Sequence, residues 1–474
     1  MMKQRALPYP DLILFNGKIR TLTYDGALVE ALACAGGRIV AAGQSDVIRR
    51  LAGPDSRQID LQNKIAIPGL TDTHVHLSEK GTAEKEYLDC RDFYADVHSI
   101  PEILERLTKR ASEIPKGSWI VAHGSPMQDF RLKEKRFPDR HDLDRAVPDH
   151  PVSIAFGAHI TIANSKALAL AGIGRDSSFA LNQCLERGVT TIHDIVRSGE
   201  PIRAYQELLR EGRLDARVSL LPRVIESHIG SNSLIELGLH SGFGNEWLRI
   251  GGVKMSIDGG ITGRNACFYE PYEDDPHNCG IIRIPQDELN ETVLQCHQAG
   301  LRCCVHAIGD CNWLSTPERM QRLVRSGIIA IPNISIGYYV GDAILDCVGE
   351  KRLAKAFPFR TLLKNGVTIA GGSDAPGYWP VDPLRDISAC VSRKMRWGEV
   401  LVPEERISAA EAFAMHTTTA AFVGFEENDK GTLDVGKLAD IAILAEDPFE
   451  IPGERIKDIR VEMTIVGGEV KYQA

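Results

Sequence analysis

The chain has 474 residues, 43% of them hydrophobic and 25% charged, with a formal net charge of -9. That balance gives no electrostatic basis for binding nucleic acid or an anionic membrane, and no apolar run reaches the length of a membrane span. Eleven cysteines, an odd number without a C-x-x-C spacing, point to free thiols in a reducing cytoplasm.

The N-terminus has a basic start, but its apolar run is cut short at Asn16 and Gly17, so it does not read as a signal peptide. Residues 11–66 alternate short apolar runs with Gly, Asn and Asp, the pattern of short strands and turns. Residues 425–474 read the same way. One small β domain built from 1–66 and 425–474 is therefore expected, with 67–424 between its halves. Seven apolar, strand-like runs follow in that middle. The first ends at His74 and His76; the others lie at 188–194, 216–224, 249–260, 300–310, 327–335 and 366–376. Amphipathic stretches such as 201–214 separate them. Near-continuous apolar strands alternating with helices mean a parallel sheet covered by helices. Polar residues at the strand ends suggest a (β/α)8 barrel, whose chemistry sits on that face. Seven strands leave it one short. Residues 77–180 break the repeat and are expected as an insertion near the barrel mouth.

Side chains at i and i+2 of a strand face the same way, so His74 and His76 project together. His306 and Asp374 each end another strand-like run. Lys254 lies inside an apolar run, where lysine needs a carboxylate partner such as Asp258 or a chemical modification. Each residue alone has an ordinary reading: a chance H-x-H, a core histidine, a turn aspartate. A parallel barrel brings these strand ends to one rim, which favours a metal site. The ligand types suit zinc, iron, nickel or manganese alike. Candidates for substrate contact are His159 in the insertion, His193 at the end of the second strand, Arg264 in the loop after Lys254, and Tyr378 and Trp379 beyond Asp374. Cys303 and Cys304 read as core, and His123, His141, His150 and His416 as structural or exposed.

The stretches IPGLTDTHVHL (67–77), VKMSIDGGITGRNACFYEPY (253–272), CVHAIGD (304–310) and GGSDAP (371–376) occur in this order, and the C-terminal GTLDVGKLADIAILAEDP follows them. With these motifs the chain resembles the amidohydrolase superfamily, and within it amidohydrolase family 3, which includes N-substituted formamide deformylases. The resemblance spans essentially the whole chain. It implies a barrel flanked by a β-sandwich, and a metal-dependent hydrolase cleaving an amide-like, non-peptide C–N bond of a small molecule. It implies that His74 and His76 ligate the more buried metal. Asp374 would also ligate it and act as general base. A CO2-derived carbamate on Lys254 would bridge to a second metal held by His306. Zinc is the expected ion, and a homodimer the expected assembly. A deaminase or cyclic-amide hydrolase of the same superfamily is the neighbouring reading.

One departure stands out. The family's sixth-strand histidine is absent, and about one helix and one strand are missing between Asp310 and Cys311. A second shortening falls near 172–191. One firmly bound metal and a weaker second are therefore expected, and a catalytically impaired barrel is the further alternative.

Overall fold

Strand β1 (Leu70–Val75) begins a parallel row that organises the middle of the chain. The computed structural model describes residues 9–23, 26–77, 87–156, 160–168, 178–225, 229–309, 317–353, 355–375 and 379–474. His159, Tyr378, Asp310 and Cys311 lie outside these described residues. Strand β2 (Val189–Val196) pairs with β1, and β3 (Arg217–Pro222) with β2, both in parallel. All eight residues of β2 and all six of β3 are buried, as expected for strands covered on both faces. Strand β4 (Val253–Ser256) continues the row through an Arg223–Lys254 bridge, and β5 (Cys303–His306) pairs with β4.

On the other side of β1, parallel bridges join Val75 to Ala375, Ile369 to Ala330 and Gly372 to Asn333. The last two segments make only isolated bridges, because Gly, Pro and Asn interrupt both apolar runs. Seven segments thus run side by side, from β5 to Ala330–Asn333. Among the described residues no pairing joins these two ends.

The termini build two sheets. One holds Leu12–Phe15, Ala31–Ala35, Arg38–Gly43 and Arg57–Asp60. The other mixes N-terminal strands, including Ile65–Pro68, with Ile441–Leu444, Val461–Val466 and Glu469–Gln473. Leu14 and Leu32 of the first share an apolar cluster with Ile441 and Ile465 of the second. Leu88–Asp89, Ile120–Gly124, Val152–Phe156 and Ile160–Ala163 form a separate four-stranded sheet with its own core. That insertion is fastened to the rest. Met127 joins the main core, and Arg131 donates to Asp342 at 2.7 Å.

Candidate metal centre

Two backbone features bring His74 and Asp374 together. Gly372 lets the last segment approach β1 closely: a Cβ there would lie 2.6 Å from the Cβ of His74. Asp374 has φ of +59°, in the left-handed region that Asp tolerates better than most residues. The surroundings hold this conformation. The Asp374 amide donates to the His74 carbonyl at 2.9 Å, and the His76 amide to the Ala375 carbonyl at 2.7 Å. The Trp379 indole donates to the Ser373 carbonyl at 2.7 Å.

The result is one cluster. His74 Nε2 lies 3.1 Å and His76 Nε2 3.2 Å from the same oxygen, Asp374 Oδ1. One ligand atom from each of the three residues lies within 4.8 Å of the others. Burial alone raises the Asp374 carboxyl, but hydrogen bonds from His74 and His76 outweigh it and hold the group well below the usual carboxylate range. Burial, helped by the charge on Lys254, pushes His74 down to about 4. At neutral pH the His74 imidazole is therefore unprotonated and the carboxylate charged, the state in which each can donate an electron pair. Two imidazoles and a carboxylate on one point fit a first-row divalent cation.

Lys254 and His306 are close by but outside that trio. Lys254 is 5% exposed, and burial pushes its amine down to about 8. Asp258 does not partner it. Its carboxylate accepts from the amides of Cys267, Ile308 and Gly309 at 2.7–3.1 Å, tying the loop after β4 to the loop after β5. Nothing among the described residues hydrogen-bonds the Lys254 ammonium. His306 shares its face of β5 with Cys304, which stands opposite Lys254 in the register. Its Nε2 meets the Gly259 carbonyl at 3.0 Å, which leaves Nδ1 for other use. Burial and then Lys254 push His306 down to about 3.

Three sequence candidates for substrate contact are otherwise engaged. Arg264 donates to Asp274 at 2.8 Å and lies over Phe130 at 4.8 Å. It clamps the insertion to the loop after β4. Trp379 is 2% exposed and stacks on Tyr339 at 5.2 Å, so it braces the Asp374 turn instead of lining an open pocket. His193 is buried, and its charged neighbours are Glu426, Lys430, Arg302 and Arg249, not the trio. Asp194, the next residue, takes the opposite face and accepts from Leu77 N at 2.7 Å and Tyr205 OH at 2.9 Å.

The sequence reading missed Asp72. It sits two residues before His74, and its Oδ1 accepts from the amides of both His74 and Ser373 at 3.1 Å. The same i, i+2 spacing that singled out the histidines could have found it. Behind it, Asp386 accepts from Ser335 Oγ at 2.6 Å and is fully buried. Burial pushes its carboxyl well above the usual range. A raised carboxyl favours folding while protonated, and that contribution is lost as pH rises from the unfolded value near ~3.9 through the folded one. Asp386→Asn is therefore expected to raise the melting temperature more at pH 8 than at pH 5. Equal shifts at the two pH values would contradict it.

Comparison with known proteins decides the family. The Amidohydrolase family model matches residues 57–180, 178–327 and 311–472. The chain belongs to the amidohydrolase family. It is a hydrolase of carbon–nitrogen bonds, and its family is metal-dependent. The YtcJ amidohydrolase of Bacillus subtilis is 26% identical over 539 aligned positions, covering 97% of this chain and 99% of the relative. The N-substituted formamide deformylase of Arthrobacter pascens is 23% identical, over 98% of each chain. A metal-dependent hydrolase from Pyrococcus furiosus superposes with a TM-score of 0.73 at 27% identity, covering 93% of this chain and 100% of its own. The 539-position alignment exceeds the 474 residues here, so the relative carries segments this amidohydrolase lacks. The three matched pieces meet at 178–180 and 311–327, where the sequence reads as shortened.

Proposed function

We propose that this amidohydrolase cleaves an amide-like, non-peptide C–N bond of a small molecule, using one divalent ion, zinc by preference, held by His74, His76 and Asp374. The convergence of both Nε2 atoms on one Asp374 oxygen carries this reading. An ion bound there supplies Lewis-acid polarisation of the carbonyl and acidifies water. Asp374 accepts the proton of the attacking water at its carboxylate and delivers it to the leaving nitrogen. Lys254, with its amine near 8, is suited to react with CO2 as the free base, and the carbamate with His306 Nδ1 would make a second, weaker site. The side chains of His74, His76 and Asp374 keep 12%, 20% and 27% exposure, enough for a small substrate to reach them.

The seven-segment row is read as a (β/α)8-type barrel lacking its sixth strand, spanning 67–424. The paired terminal sheets, 1–66 with 425–474, form a β-sandwich. No helix among the described residues is long and apolar enough to cross a membrane, and a cytoplasmic location suits the ten described cysteines, all free.

A panel of N-formyl amines, acyl amides, cyclic ureas and aminopurines, offered to the metal-loaded enzyme, tests the reaction. Amine release from an N-formyl or acyl amide is expected. Ammonia released only from aminopurines moves the enzyme to the deaminases. Ring opening of the ureas alone makes it a cyclic-amide hydrolase. No turnover on any member overturns the proposal and favours the impaired barrel.

A further inference from the structure

Three helices border a small cavity: α1 (Ile334–Leu353), α2 (Phe359–Lys364) and α3 (Pro383–Ser392). Its volume is about 20 Å³, and Ile334, Gly337, Phe359, Ala389, Arg393 and Leu401 line it. A space of that size holds one small occupant, a water or a single ion. It backs onto the metal centre, because the Ile334 amide donates to the Gly372 carbonyl at 3.0 Å.

The lining is mostly apolar, and its buried cation is Arg393, the residue that caps α3. Arg393 is 5% exposed. Its Nε donates to the Leu401 carbonyl at 2.8 Å, and the guanidinium lies over the Phe359 ring at 5.0 Å. Its Nη2 is buried and has no hydrogen-bond partner among the described residues. No carboxylate among the described residues pairs with it. Glu404 and Glu405 act on it from further away, and Glu405 is held by the Thr361 amide at 2.8 Å. Lys394, beside the same cavity, is taken by Glu454. Burying a charge without a counter-charge is costly, so buried cations are normally paired. The backbone adds a second oddity. Arg393 has φ of +59°, which glycine or asparagine adopts more easily. Strain at a residue whose charged end meets a cavity points to a ligand.

We propose that this cavity binds one monatomic anion of chloride size, held by Arg393 Nη2 between apolar walls. Water would satisfy the N–H groups but leave the charge uncompensated; an anion does both. The volume excludes larger anions such as sulfate or an organic carboxylate.

Thermal melts of the full chain at constant ionic strength, with sodium chloride exchanged for sodium gluconate, test this. A saturable rise of roughly 1–3 °C is expected in chloride, and a similar one in bromide. Arg393→Met keeps the length of the side chain without its charge, and is expected to lose the chloride increment. Ala389→Val leaves Arg393 in place, fills part of the cavity, and is expected to lose it too. A wild type that melts alike in chloride and gluconate overturns the proposal and assigns the cavity to water. A chloride increment that survives in either folded variant overturns it as well.

Discussion

Asp374→Ala is expected to abolish turnover, and Asp374→Asn to lower kcat by roughly 10²–10⁴-fold, the usual worth of a positioned general acid–base group. The two differ because Asn keeps the shape of the turn and one acceptor oxygen but cannot take a proton. His74→Ala and His76→Ala are expected to be as severe as Asp374→Ala, since each removes one of the three donors within 4.8 Å. The backbone should tolerate all four changes. The turn is held by the bonds from the Asp374, His76 and Trp379 N–H groups, none of which uses the altered side chains. Near-normal rates in a folded, fully metal-loaded variant would remove Asp374 from the chemistry.

The second large effect concerns stability. Arg217 on β3 is 1% exposed and donates to both oxygens of Asp440, at 2.7 and 2.9 Å. Asp440 directly precedes the terminal-sheet strand Ile441–Leu444 and also accepts from Gly467 N at 2.9 Å. One buried ion pair therefore pins the parallel row to the terminal sheets. Removing one partner strands the other charge in the interior, at a cost of about 3–5 kcal/mol. Arg217→Ala and Asp440→Ala should each lose that much in urea unfolding, and the double variant much less than the sum. Additive losses below about 1 kcal/mol would show that the pair is dispensable.

The trio of His74, His76 and Asp374 is legible in the sequence because the relevant signals are local or come at strand ends. His74 and His76 are two apart on a strand, and Asp374 ends an apolar run. The strand runs 188–194, 216–224 and 300–310 correspond to β2, β3 and β5. What stayed hidden depends on which way a side chain turns. Arg264 and Trp379 were plausible at the mouth, yet ion pairing takes one and stacking the other. His193 and Asp194 are neighbours on opposite faces, and neither belongs to the trio: His193 lies among Glu426, Lys430, Arg302 and Arg249, and Asp194 accepts from Leu77 N and Tyr205 OH. The burial of Lys254 is legible in the apolar run around it. Its nearest carboxylate in sequence, Asp258, was already satisfied by three backbone amides from two loops, a tertiary fact. The seven strand-like runs of the sequence match the seven segments of the parallel row, and none of the four residues of β5 is fully buried.

The central claim is that His74, His76 and Asp374 hold one divalent ion. Metal analysis of reconstituted protein after gel filtration in metal-free buffer tests it without needing a substrate. One equivalent of zinc per wild-type chain is expected, with less than a tenth of an equivalent, roughly, in His74→Ala/His76→Ala. Wild-type protein emerging without metal, or the double variant retaining a full equivalent, would contradict the account.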